Sequence, residues 1–175
     1  MNKWLVKIEG ILTSATEGMI EAQLTWHPEG KWSTAQVLEH LAKTYTGTSR
    51  GFEKALAAQR SLATRATPWQ HFARITVVGL GYFPRGRKSP EVVVPNSDWT
   101  GEHAIKTIRE ELAKLYEAQE KVEKLFSGVP VVDHPVMGPL TPAQWAKFHY
   151  VHARHHAKQI AGLRRQMATA AAACA

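Results

Sequence analysis

The stretch that most restricts how this chain can fold is TPAQWAKFHYVHARHHAKQIAGLRR, from Thr141 to Arg165. Thr141 is placed to cap a helix, Pro142 takes the first helical position, and Gln144 completes a capping box. Trp145, Phe148, Ile160 and Leu163 then recur at the spacing of a single apolar stripe, which must be buried against other elements. His149, His152 and His156 fall on or beside that stripe. At about 100° per residue, His152 and His156 lie within about 20° of the line through Trp145 and Leu163. Two imidazoles four residues apart on one helix face can share a metal ion. They can equally be hydrogen-bonded core residues, and the pair alone does not choose.

At 175 residues, 44% hydrophobic and 21% charged, the chain suits one globular domain with a sizeable core. No apolar run approaches the roughly 20 residues that span a bilayer, so no membrane partner is expected. The N-terminal MNKWLVKIEGILTSATEG contains Glu9 and Glu17 and no continuous apolar core, which argues against a signal peptide. The single cysteine, Cys174, cannot form an intrachain disulfide, which fits a reducing cytoplasm. The formal net charge of +7 is scattered along the chain, apart from Arg85, Arg87 and Lys88 and the pair Arg164 and Arg165. Dispersed charge reads first as solubility and next as attraction for an anionic small molecule. Nucleic acid ranks third, because helix-turn-helix, zinc-finger and RNA-binding sheet signatures are absent.

Trp4, Leu5, Ile8, Leu12, Ala15, Met19 and Leu24 predict a first helix over residues 3–24, weakened at Gly10 and Gly18. Pro28 and Gly30 mark the turn after it. The second helix is announced by Ser33 as cap, Gln36 closing the box, and Trp32 with Val37 as hydrophobic staple. Its inward stripe of Val37, His40, Leu41, Thr44, Phe52, Ala55 and Leu56 makes His40 a core-facing histidine. Residues 67–99, punctuated by Gly79, Gly81, Pro84, Gly86, Pro90 and Pro95, read as a long crossover. Within it, Trp69 to Leu80 suits a short helix or an extended segment, and Val92–Val94 would be an isolated strand without a partner. A third long helix runs from near Ser97–Thr100 to Phe126, with a Glu/Lys face that is solvated surface. Residues 130–139, including His134, read as a loop, and 168–175 as a low-complexity alanine-rich tail that suits a fraying helical end. The expectation is an all-α four-helix bundle over residues 1–167, with the long crossover between helices two and three.

Helix depth tests whether His40 can join the pair. His40 lies seven residues past its cap, about 10 Å up helix two, and His156 lies about 15 Å from the end of helix four. The depths match if those helices are antiparallel. In a parallel arrangement the rings would be offset by roughly 6 to 12 Å, too far for one ion.

These residues resemble the DinB/YfiT-like superfamily of four-helix bundles. The likeness rests on Trp32-Ser33 with Gln36 and His40, on His152 and His156, and on Gln159 three residues after His156. His156-Ala157-Lys158-Gln159 is similar to the H-R-G-Q ending of many members but departs from it at Ala157 and Lys158. The resemblance implies an up-down-down-up bundle, a divalent metal held by His40, His152 and His156, and a homodimer. It also implies a metal-dependent enzyme of either of two kinds: transferases that use low-molecular-weight thiols such as bacillithiol or mycothiol, and hydrolases. On the same footing His149 borders the pocket or packs in the core, and Gln159 orients a ligand imidazole from outside the ligand set. His155, about 80° from the stripe centre, is expected at a helix interface or in solvent.

Three neutral imidazoles with an open position are the layout of catalytic rather than structural zinc, and zinc or nickel is the expected ion. No Glu adjoins the His pair as a general base, unlike H-E-x-x-H hydrolases. The expected function is therefore a thiol-dependent transferase acting on a small-molecule substrate. A metal-dependent hydrolase and a non-catalytic metal-binding or structural bundle are the alternatives.

Overall fold

The computed structural model describes residues 2–84, 86 and 88–173. Its helices are α1 (Lys3–Thr16), α2 (Glu21–Thr25), α3 (Thr34–Ala57), α4 (Pro68–Arg74), α5 (Gly101–Leu125) and α6 (Pro142–Ala173). A π-helical turn, Ile75–Gly79, continues α4, and a 3₁₀ turn covers Glu91–Val93. The strands β1 (Val132–His134) and β2 (Gly138–Leu140) form an antiparallel hairpin. Both expected capping boxes are made. Ser33 Oγ accepts from the Gln36 amide at 3.2 Å while Gln36 Oε1 accepts from the Ser33 amide at 2.9 Å. The same exchange joins Thr141 and Gln144 at 3.3 and 3.0 Å. Each box satisfies amides that the first helical turn leaves without a partner.

Side-chain pairs give the helix directions. Along α3 from His40 to Tyr45 to Phe52, the ring partners on α6 descend from His152 to His149 to Trp145, so α3 and α6 are antiparallel. Trp4 packs on Tyr150, and Arg164 donates to the carbonyls of Ala15 and Glu17, so α1 and α6 are parallel. Glu39 accepts from the amide of Asn96, and Thr46 donates to Glu111, so α3 and α5 are parallel. Gln119 donates to the carbonyl of Pro142, which sets α5 against α6. This is the up-down-down-up bundle. Two consecutive parallel helices force the chain to return along the whole bundle, and residues 58–100 make that return.

Of the predicted α3 stripe, Val37, His40, Leu41, Phe52 and Ala55 are buried while Thr44 and Leu56 are half-buried, and Tyr45, outside that stripe, is buried with them. Tyr45 and Phe52 of α3 are fully buried, and Phe52 meets Trp145 edge to face with ring centroids 6.0 Å apart. Burying the Phe52 ring contributes about 2 kcal/mol, whereas the buried Tyr45 hydroxyl, which lacks a partner, offsets part of its ring's gain. Gly101 at the start of α5 sits where any Cβ would collide with Leu24, and its amide donates to Glu21 Oε1 at 2.8 Å.

Several local expectations are corrected. The single first helix is two, because the chain turns at Gly18, which has φ +69°. Val92–Val94, for which a strand had no partner to pair with, is covered in part by the 3₁₀ turn Glu91–Val93. The 130–139 loop contains the β-hairpin, each short strand having the other as its partner, and His134 ends β1. The alanine-rich stretch forms the helical end of α6, through Ala173. Arg85, Arg87 and Cys174 lie outside the described residues.

Candidate metal centre

The antiparallel contact of α3 with α6 brings His40, His152 and His156 to one point. One ring nitrogen from each lies within 4.8 Å of the others. His40 Nε2 is 3.2 Å from His152 Nε2, and His156 Nε2 is 2.9 Å from the same atom. All three side chains are buried, with relative exposures of 3%, 5% and 6%.

The outer nitrogens explain which face of each ring is offered. His40 Nδ1–H donates to the carbonyl of Val93 at 2.9 Å, and His156 Nδ1–H donates to Gln159 Oε1 at 2.9 Å. Each bond places the ring proton on Nδ1 and leaves a lone pair on Nε2. His152 Nε2 can donate to only one of the two lone pairs it faces, and its own Nδ1 is buried without a hydrogen-bond partner. Without a shared cation, at least two lone pairs therefore meet in a buried site. Protonation is the poor remedy. Burial first, and the neighbouring histidines second, hold all three rings below the ordinary imidazole range, His156 at about 3. Neutral imidazole Nε2 is the form that ligates divalent ions, so the donor set fits such an ion.

The surroundings hold the rings in place. Phe83 and Phe148 stack on His152, with centroids 5.1 and 5.3 Å away and planes within 19° and 17°. Trp32 lies 5.2 Å from the His40 ring. The segment bearing Val93 is tied to α3 by a buried clamp. Glu39 Oε1 accepts from Lys43 Nζ at 2.7 Å and from the Asn96 amide at 3.1 Å, while Lys43 Nζ also reaches the Val94 carbonyl at 3.0 Å.

The other histidines are placed apart from this convergence. His149 is fully buried one turn earlier on α6, stacked on Trp145 with its edge to Tyr45, and neither of its nitrogens has a partner. Burial, and secondarily His134, push its ring down to about 3. His134, expected in a loop, packs against Phe148 at 4.5 Å and accepts the Val136 amide at 3.1 Å, and burial lowers it to about 4. His155 is half-buried between Phe83 and His156, with centroids at 4.8 and 5.1 Å. His71 takes a contact from Arg74 at 2.6 Å, and His103 meets Trp99 at 4.8 Å.

Gln159 stands where the motif spacing put it, whereas Val93, Phe83 and Phe148 were not foreseen as site residues. Phe148 carried a signal, since it lies four residues before His152 on the same stripe. Val93 acts through its backbone carbonyl, which any residue possesses, and Phe83 sits in an irregular segment without periodicity.

Among curated proteins none matches the chain. In structure it is similar to YfiT from Bacillus subtilis, described as a probable metal-dependent hydrolase with an unusual four-helix bundle topology. The TM-score is 0.58 and the identity 18%, over 95% of this chain and 85% of that one, a likeness of fold. The family described as Protein of unknown function (DUF1569) matches residues 13–162.

Proposed function

The chain belongs to the DUF1569 family, and from that premise we propose that it is a metal-dependent enzyme whose divalent ion is held by His40, His152 and His156. The observation that carries this reading is the convergence of three Nε2 atoms, two of them with the ring proton held on the far nitrogen by Val93 and Gln159. His40, His152 and His156 would hold the ion as neutral imidazoles, and it would supply Lewis acidity that lowers the pKa of a thiol or water.

The chain's own residues orient and shield. Val93 and Gln159 fix two rings, Phe83 and Phe148 clamp the third, and the apolar walls limit access of bulk water. The nearest acidic residue in sequence, Glu39, is engaged by Lys43 and Asn96 and so serves the crossover. Thiol chemistry makes the smaller demand on such a site because it needs no carboxylate base. We therefore place thiol transfer to a small-molecule electrophile ahead of hydrolysis, with zinc or nickel as the ion and a homodimer as the assembly. The description of YfiT as a probable metal-dependent hydrolase favours hydrolysis as the second reading.

Metal analysis of purified protein is the first test. About one ion per chain is expected in wild type and a loss of most of it in His40→Ala; equal content would remove His40 from the ligand set. Turnover of an electrophile with bacillithiol, mycothiol or glutathione then supports transfer. Ester or amide cleavage without thiol supports hydrolysis, and no turnover with metal bound leaves a binding protein.

A further inference from the structure

Basic residues that look dispersed along the chain are segregated by element. Residues 58–90 contain six Lys and Arg, residues 134–175 contain five, and neither stretch holds a single Asp or Glu. All 15 acidic residues fall in the remainder, alongside the other 11 basic ones. The two stretches are the first part of the crossover and the segment that becomes α6, and they meet in space. Lys147 Nζ donates to the Gly79 carbonyl at 3.2 Å, and Arg154 donates to the Gly81 carbonyl at 2.8 Å.

Large apolar side chains stand exposed at this junction. Trp69, Phe72, Ile75, Leu80 and Tyr82 are all about half exposed or more, Leu80 reaching 77%. Ala73, Val77 and Val78 of the same helical segment are buried. Residues 68–79 are thus apolar on two sides, and the bundle covers only one. Lys147 and Arg154 border the patch through their bonds to Gly79 and Gly81, and Arg65 and Lys88 are exposed in the same stretch of crossover. Exposed aromatics interleaved with cations, in stretches that hold no acid of their own and with Asp133 engaged by Thr64 at their edge, have the composition of a surface that lies in a lipid headgroup region.

We propose that this face docks on an anionic lipid surface, with the apolar side chains entering the headgroup boundary and the surrounding Lys and Arg meeting lipid phosphates. The association is peripheral, since no helix among the described residues is long and apolar enough to cross a membrane. A second copy is a poor occupant, because Arg65, Lys88, Lys147 and Arg154 would meet like charges across the contact. Single-stranded nucleic acid gains most from open ring faces, yet Trp69 and Phe72 stack on one another at 5.7 Å and 28°. Ile75 and Leu80 offer a base no platform, whereas an acyl boundary accepts them fully.

The test is sedimentation of the purified full chain with vesicles of phosphatidylcholine alone and of phosphatidylcholine with about 30 mol% phosphatidylglycerol. Binding at least about tenfold tighter to the anionic vesicles, falling with added salt, is expected. Arg154→Ala is expected to weaken it about fivefold, the effect of one surface cation. Phe72→Ser with Leu80→Ser, both exposed, is expected to weaken it at least about tenfold while circular dichroism and metal content stay unchanged. Equal affinity for both vesicles, or no binding at low salt, would overturn the proposal. So would full binding by the double variant, or tighter binding to oligothymidine or an acidic polypeptide than to the anionic vesicles.

Discussion

The carbonyl of Val93 receives the Nδ1–H of His40 at 2.9 Å, across 53 residues of sequence. A residue of the crossover thereby decides which nitrogen of an α3 histidine faces His152. Ring orientation at the histidine cluster thus depends on chain far from the helices that carry it.

Loading the site is expected to stabilise the fold. At a free-ion concentration of about 100 times Kd, the native state gains about 2.7 kcal/mol. For a chain of this size that raises Tm by roughly 5–10 °C. Thermal unfolding with zinc or nickel and after chelation measures it, and His40→Ala should abolish the difference between the two curves.

Gln159→Leu removes the acceptor that holds His156 Nδ1–H at 2.9 Å while keeping a half-buried side chain of similar size. Metal affinity is expected to fall about 10- to 100-fold with the helical content unchanged. Competition with a chromophoric chelator reads this directly. An unaltered affinity would show that His156 is oriented by packing alone.

Glu39→Ala breaks the clamp of Lys43 and Asn96 that holds the segment next to Val93. Burial raises the carboxyl of Glu39, but Lys43 and the Asn96 amide outweigh it and hold the group below its usual range. A loss of about 1–3 kcal/mol in denaturant unfolding is expected, together with weaker metal binding. Because the folded carboxyl is depressed, its contribution is present above the unfolded value and is lost as pH falls through the folded one.

Acid should destabilise the metal-free protein through its buried neutral rings. His134 and His149 are lowered to about 4 and about 3, so between those values and about 6.5 the unfolded chain binds more protons. Stability then falls as pH falls, by up to about 1.4 kcal/mol per pH unit for each ring, until the folded pKa is reached. His149→Leu should flatten this acid limb and cost little at pH 7, since both ring nitrogens lack partners. Urea midpoints from pH 4 to 8 give the slope; an unchanged slope would mean that His149 is not buried as a neutral ring.

Features carried by neighbouring residues were legible in the sequence. The capping boxes at Ser33 and Thr141 and the stripe through Trp145 and Phe148 need only a few consecutive side chains. The same holds for the four-residue spacing of His152 and His156, where one helical turn does the placing. His40 was legible one step further, because helix depth and antiparallel direction suffice to bring it to the pair. The break at Gly18 was legible only as a weak point, since the apolar positions on either side keep a helical rhythm that the backbone does not follow.

The amino-acid order by itself determined the long helices, most of their buried faces and the pairing of His152 with His156, because each follows from a repeat of 3.6 residues along one element. Tertiary structure alone decided that Val93 offers its carbonyl to His40 and that Phe83 covers His152. It also decided that Lys147 and Arg154 of α6 meet the crossover at Gly79 and Gly81. Those outcomes depend on where an irregular segment lands after crossing the whole bundle. No local periodicity encodes that landing; contacts between residues distant in sequence do.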